Sequence, residues 1–174
     1  IMKRFEPIVL EHKPDWVLVV GDVNSTIACA LVATKLGVRV AHVEAGLRSF
    51  DRGMPEEINR VLTDSISDAL FVTEPSGVEN LKREGVDAAK IHFVGNVMID
   101  TLKASRDEAE KSTVLDTLGL KAGQYNVLTL HRPSNVDDSA IFGRILAAIE
   151  EIQRDLPVFF PIHPRTLTNT KKLG

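Results

Sequence analysis

The side chains able to move a proton or hold an anion are bunched directly after short apolar runs. Trp16–Val20 is followed by Gly21-Asp22-Val23-Asn24-Ser25-Thr26, and the run at 38–42 by Val43-Glu44-Ala45-Gly46-Leu47-Arg48. Runs at 126–130 and 158–162 end in His131-Arg132-Pro133 and His163-Pro164-Arg165. Those at 69–72 and 91–94 end in Thr73-Glu74-Pro75-Ser76 and Gly95-Asn96, which read as turns and caps. In open parallel sheets, ligands bind beyond the carboxyl ends of the strands. The acids, imidazoles and guanidiniums at the first four of these run ends are therefore the candidate site.

On chemistry alone each candidate has two readings. Asp22 either caps the following helix through the amide of Asn24 or Ser25 or faces a ligand. Glu44, directly after an apolar strand, would leave water and needs a partner. His42 or Arg48 would give it a buried ion pair; otherwise it is a titrating group of a site. Glu56 and Glu57 follow Pro55 at a helix start, where acids complement the positive end of the helix dipole; for Glu57 that is the favoured reading. His131 beside Arg132 offers a phosphate two cationic groups, against the alternative of a solvated loop histidine. His163, with prolines at 161 and 164, either satisfies a tight strand exit or belongs with them.

Other chemistries are excluded by what the sequence lacks. No Gly-x-Gly-x-x-Gly follows a strand, no Gly-x-x-x-x-Gly-Lys-Ser/Thr is present, and no Gly-x-Ser-x-Gly occurs. These gaps argue against nicotinamide binding, the usual ATP phosphate cradle and a covalent serine hydrolase. The single cysteine, Cys29, lies in an apolar helical run and reads as a small buried hydrophobe. His12, His42, His92, His131 and His163 are too dispersed for a metal site, so no metal is expected. With a net charge of -3 and no basic stripe, nucleic acid is not an expected partner. No apolar run approaches the roughly 18 to 20 residues of a membrane helix, and a soluble cytoplasmic protein is expected. The chain opens on Ile1 and closes on Lys171-Lys172-Leu173-Gly174, which reads as a piece cut from a longer protein at both ends.

The elements that must position these residues follow from hydrophobic pattern. Continuous β-branched runs predict strands at 16–20, 38–42, 69–72, 91–94, 126–130 and 158–162. Helical spacing fills the intervals at 25–36, 56–67, 77–84, 97–111 and 140–154. Gly37 at a helix end and Pro55 and Pro75 at helix starts agree with this layout. Apolar strands alternating with helices predict an α/β fold of the doubly wound kind, a parallel sheet flanked by helices on both faces. Residues 104–124, with Arg106, Asp107, Glu108, Glu110 and Lys111 and with Gly119 and Gly123, read as a crossover between two domains.

One ordered set spans nearly the whole chain: Gly21-Asp22, His42-Val43-Glu44-Ala45-Gly46-Leu47-Arg48, Pro55-Glu56-Glu57-Ile58-Asn59-Arg60, Gly95-Asn96 with Asp100, and His131-Arg132. In this order and spacing it resembles the UDP-N-acetylglucosamine 2-epimerases. The resemblance implies two Rossmann-like, glycosyltransferase-B-like domains around a cleft, both incomplete here: 1–96 in the first, 97–124 crossing over, and 125–174 opening the second. It implies epimerisation at C2 of UDP-N-acetylglucosamine to UDP-N-acetylmannosamine, by eliminating and re-adding UDP, without metal or nicotinamide. The family's acid/base carboxylates fall on Asp22, Glu44 and Glu56, and His131 falls among the groups contacting UDP. Arg60, one turn beyond Glu56, would orient it, and Arg132 and His163 match positions of a second, activating nucleotide-sugar site in bacterial members. There the chain departs from them, with Pro133-Ser134-Asn135 in place of Arg-Glu-Asn. The family's other UDP-holding loops would lie outside Ile1 and Gly174, so these 174 residues alone are expected to bind UDP poorly. A homodimer is expected. The alternatives are a hydrolysing epimerase, releasing UDP and N-acetylmannosamine, a non-catalytic nucleotide-sugar-binding module, and more distantly a glycosyltransferase.

Overall fold

The computed structural model describes residues 1–171; residues 172–174, the end of the segment expected to open a second domain, lie outside the described residues. The chain divides into two compact units, one comprising residues 1–106 and the other beginning at Asp107.

The first unit carries a four-stranded parallel sheet in the order β1 (Trp16–Val20), β2 (Arg39–Ala45), β3 (Ala69–Val72), β4 (Ile91–Phe93). Its helices are α1 (Met2–His12), α2 (Asn24–Lys35), α3 (Pro55–Ile66) and α4 (Pro75–Arg83), and α5 (Val97–Glu110) contains the boundary between the units. Parallel neighbours cannot be joined by hairpins, so a helix crosses between each pair of strands. Right-handed crossovers taken repeatedly in one direction lay the helices on one face. Burial agrees. Val19 and Val40 pack with Ala30 and Ala33 of α2, and Leu70 and Val72 pack with Leu81 of α4. On β1 the alternate residues Leu18 and Val20 are 61% and 49% exposed. The expected helix cover is thus present on one face, while the second shows apolar side chains to solvent.

Strand and helix positions follow the sequence reading closely in this unit. β2 runs on to Ala45, three residues past the expected end, because Val43 pairs with Phe71 and Ala45 with Val72 across an irregularity. Helix α1 was not foreseen: Pro7 lies inside it, and Val9 is its one buried residue. A proline inside a helical pattern argues against a continuous helix.

The second unit holds a two-stranded parallel sheet, β5 (Asn126–Val127) with β6 (Val158–Phe159). Around it lie α6 (Val114–Leu118), α7 (Pro133–Val136), α8 (Ser139–Ile152) and α9 (Pro164–Thr170). Both strands are shorter than the apolar runs suggest; among the described residues each pairs with the other alone. Asp138 starts α8 by accepting from the amides of Ala140 at 2.8 Å and Ile141 at 3.0 Å. Val136 and Phe142 are buried at its centre. Among the described residues no helix is long and apolar enough to cross a membrane.

Candidate active site

The chain leaves β1 through Gly21, whose φ of +69° turns the backbone without a Cβ penalty, and its amide still donates to Val43 O at 3.0 Å. Asp22 follows, half-buried. It does not cap α2: the N-cap is Val23, without a side-chain hydrogen bond. Instead its Oδ2 accepts from Arg60 Nε at 2.8 Å and lies 2.6 Å from Arg60 Nη2, while its carbonyl accepts from Asn59 Nδ2 at 2.7 Å. Arg60 therefore holds Asp22, and its Nη1 goes to Glu57 at 3.0 Å; the expectation that it orients Glu56 gives way to this geometry.

Glu44 sits at the irregularity in β2 with φ +71°, a conformation rare for a non-glycine residue. A bulge of this kind re-aims a side chain, and a methyl group placed on Gly21 would lie 3.6 Å from Glu44 Oε2. Glu44 and the Gly21-Asp22 turn are thus neighbours at adjacent strand ends. The partners expected for Glu44, His42 and Arg48, are engaged elsewhere: both bind Asp64. Among the described residues, neither Glu44 nor Glu56 has a hydrogen-bond or ion-pair partner for its carboxylate, although both are half-buried.

Glu57 is the opposite case. Its place in the first turn of α3 fits the dipole reading, but its carboxylate is buried and committed. It accepts from the amides of Ser49 and Phe50, each at 2.9 Å, and from the Ser49 hydroxyl at 3.1 Å, besides Arg60. Burial pushes this carboxyl up, and the Ser49 and Phe50 amides, the Ser49 hydroxyl and Arg60 outweigh it, so it titrates below its ordinary value.

Behind these residues runs a buried chain of polar contacts that the sequence reading missed. His42, fully buried, places Nδ1 2.7 Å from Asp64 Oδ1 and Nε2 2.9 Å from Gly21 O. Asp64 Oδ2 accepts from Gly46 N at 3.0 Å and from Arg48 Nη1 at 2.8 Å. Arg48 forks onto Glu84 at 2.8 and 2.7 Å. Burial pulls the Arg48 guanidinium down, but its bonds to Glu84 and the charge of Asp64 outweigh it and hold it above its ordinary value. No sequence signal marked Asp64: Glu57, Asn59, Thr63 and Asp64 are the buried residues of α3, whereas Ile58 and Leu62 are 40% and 48% exposed. A helix with polar residues turned inward marks a network rather than a packing face.

In the second unit the ends of β5 and β6 bring His131 and His163 together, ring centroids 5.9 Å apart. His131 Nδ1 lies 3.4 Å from Thr129 Oγ1. His163 caps α9, its Nδ1 accepting from the Arg165 amide at 3.2 Å, so the strand-exit reading accounts for that nitrogen. Thr166, buried, donates to Leu130 O at 2.6 Å and ties α9 to the exit of β5. His131 and Arg132 are both exposed, Arg132 at the N-cap of α7. Among the described residues no group of three or more metal-ligating side chains converges.

A family model described as UDP-N-acetylglucosamine 2-epimerase matches residues 1–173. The chain belongs to the UDP-N-acetylglucosamine 2-epimerase family. Its similarity to the UDP-N-acetylglucosamine 2-epimerase of Methanocaldococcus jannaschii is 47% identity, over 98% of this chain and 48% of that protein. A Pseudomonas aeruginosa relative, UDP-2,3-diacetamido-2,3-dideoxy-D-glucuronate 2-epimerase, is 46% identical over the whole of this chain and 49% of that protein, and the Methanococcus maripaludis UDP-N-acetylglucosamine 2-epimerase is 42% identical over the whole of this chain and 49% of that protein. Among solved structures, the Methanocaldococcus jannaschii UDP-GlcNAc 2-epimerase in complex with UDP-GlcNAc and UDP superposes with a TM-score of 0.86 at 45% identity, over 99% of this chain and 48% of that one. The chain spans about half the length of the epimerase-family relatives it matches, and the α/β fold is theirs.

Proposed function

We propose that the complete protein inverts C2 of UDP-N-acetylglucosamine, giving UDP-N-acetylmannosamine, by eliminating UDP and adding it back. The carrying observation is the state of the strand-end carboxylates. Among the described residues Glu44 and Glu56 are half-buried without partners, and Asp22 is held by Arg60, whereas Glu57 and Asp64 are fully committed to donors. Proton transfer needs carboxyl groups that are positioned yet uncommitted.

The hydrogen on C2 has no adjacent carbonyl, so simple deprotonation is too costly. In the proposed route a carboxylate takes the C2 proton as the C1–O bond to UDP breaks, and the electron pair becomes the C1=C2 double bond of a glycal. The pyrophosphate oxygen then attacks C1 while a second carboxyl delivers a proton to the other face of C2. Asp22, Glu44 and Glu56 supply the acid and base. His131 and Arg132 hold the departing pyrophosphate, whose charge must be stabilised as it forms, with His163 beside them. The reading includes two Rossmann-like domains, one for each unit, and a cytoplasmic homodimer working without metal or nicotinamide.

The test is to incubate the full-length protein with UDP-N-acetylglucosamine and analyse the products. UDP-N-acetylmannosamine without free UDP supports the reading; free UDP with N-acetylmannosamine means that water adds to C1, the hydrolysing course. A second substrate has specific support, the 46% identity to the diacetamido-glucuronate enzyme. The two sugars share the 2-acetamido group and the C2 hydrogen, so the same carboxylates would serve both. Parallel assays on the two UDP-sugars decide between them.

A further inference from the structure

We infer that His42 and Asp64 are positioning residues for this reaction, a buried brace that sets the two turns carrying Asp22 and Glu44. The inference rests on the functional reading above. Gly21 O can only accept, so His42 Nε2, 2.9 Å away, carries a proton. Nδ1 and Asp64 Oδ1, 2.7 Å apart, then share one proton between them. The other Asp64 oxygen takes the amide of Gly46 at 3.0 Å. The brace therefore grips the carbonyl just before Asp22 and the amide two residues after Glu44.

Between those points Glu44 holds φ +71°, unfavourable for a residue with a Cβ, whereas Gly46 takes φ +78° without that penalty. A non-glycine residue stays in that region only when its surroundings over-determine it. Asp64 grips one side of Glu44 through Gly46, and the Gly21 amide grips the other through Val43 O at 3.0 Å. His42 joins the two grips. Both side chains are out of solvent, at 0% and 2% exposure, so neither can meet substrate. Their effect on catalysis must pass through Asp22 and Glu44.

His42→Gln and His42→Asn separate this role from simple packing. A glutamine amide reaches towards the Nε2 position and can still donate to Gly21 O; an asparagine amide reaches the Nδ1 position and keeps only Asp64. In the full-length protein, with turnover of UDP-N-acetylglucosamine as the assay, His42→Asn is expected to lower kcat by about 100-fold, the scale of a roughly 1 Å misplacement. His42→Gln is expected to recover at least about tenfold of that loss. UDP affinity, assigned to His131 and Arg132, stays at the wild-type value in both, and the two variants melt at similar temperatures. Asp64→Asn is a second probe, with lowered kcat and retained UDP binding. Equal kcat in the two His42 variants, a kcat loss that follows melting temperature, unchanged kcat in Asp64→Asn, or variants too unfolded to bind UDP would each overturn the inference. Wild-type protein without turnover would overturn the functional reading and this inference with it; wild-type turnover with any of the other outcomes overturns the inference alone.

Discussion

At the scale of single residues, carboxylates in the first unit divide by what holds them. Asp64 and Glu57 each receive three or more donors and are out of solvent. Among the described residues Glu44 and Glu56 receive none, and Asp22 shares one guanidinium. Glu44→Gln and Glu56→Gln in the full-length protein are expected to cut kcat by about 100-fold or more with melting temperature almost unchanged, as read by steady-state kinetics and thermal melts. Glu57→Gln should do the reverse, costing about 1–3 kcal/mol of stability. The sign of its pH dependence follows from its lowered folded value. Its contribution is full above the ordinary carboxyl value of 4.5 and is lost as pH falls through the depressed one. Denaturant melts at descending pH should therefore show wild type losing its advantage over Glu57→Gln below about pH 4.5. Asp22, Glu44 and Glu56 were legible as acids after strands and at a helix start. Asp64 was not, because its partners His42, Gly46 and Arg48 lie on or just after β2 and meet it only once β2 and α3 pack.

At the scale of elements, the strands were legible because parallel strands of α/β folds are written as continuous apolar runs, even in β1, where Leu18 and Val20 are exposed here. The orientation of α3 was not. Hydrophobic periodicity would turn Ile58 and Leu62 inward, yet the buried side is Glu57, Asn59, Thr63 and Asp64, since the strand ends present His42, Gly46 and the Gly21-Asp22 turn for polar contact. The site also depends on close backbone approach. A Cβ on Gly46 would stand 2.5 Å from Gly77 O, and Asn80 Nδ2 donates to Gly46 O at 3.0 Å. With φ +78° as well, Gly46→Ala is expected to cost about 1–3 kcal/mol from strain and overlap. Chemical denaturation measures the loss, and stability equal to wild type would mean that α4 can retreat from the turn.

For the whole molecule, the sheet face bearing Leu18 and Val20 and the outer side of α3 bearing Ile58 and Leu62 show large apolar side chains to water. β1 is also an edge strand with Trp16 40% exposed. Such surfaces associate. The 174 residues expressed alone are expected to self-associate, with an apparent mass in light scattering that rises with concentration; a concentration-independent monomer would contradict this. The expectation that both faces of the sheet are covered came from strand composition, which reports how apolar a strand is and not which neighbours this stretch of chain supplies. The central claim, elimination and re-addition across C1 and C2, is tested most directly by incubating the full-length protein with UDP-N-acetylglucosamine in deuterated water and reading C2 by proton NMR. The expected result is deuterium at C2 in both the gluco and manno sugars. Epimerisation with the C2 hydrogen retained would contradict it.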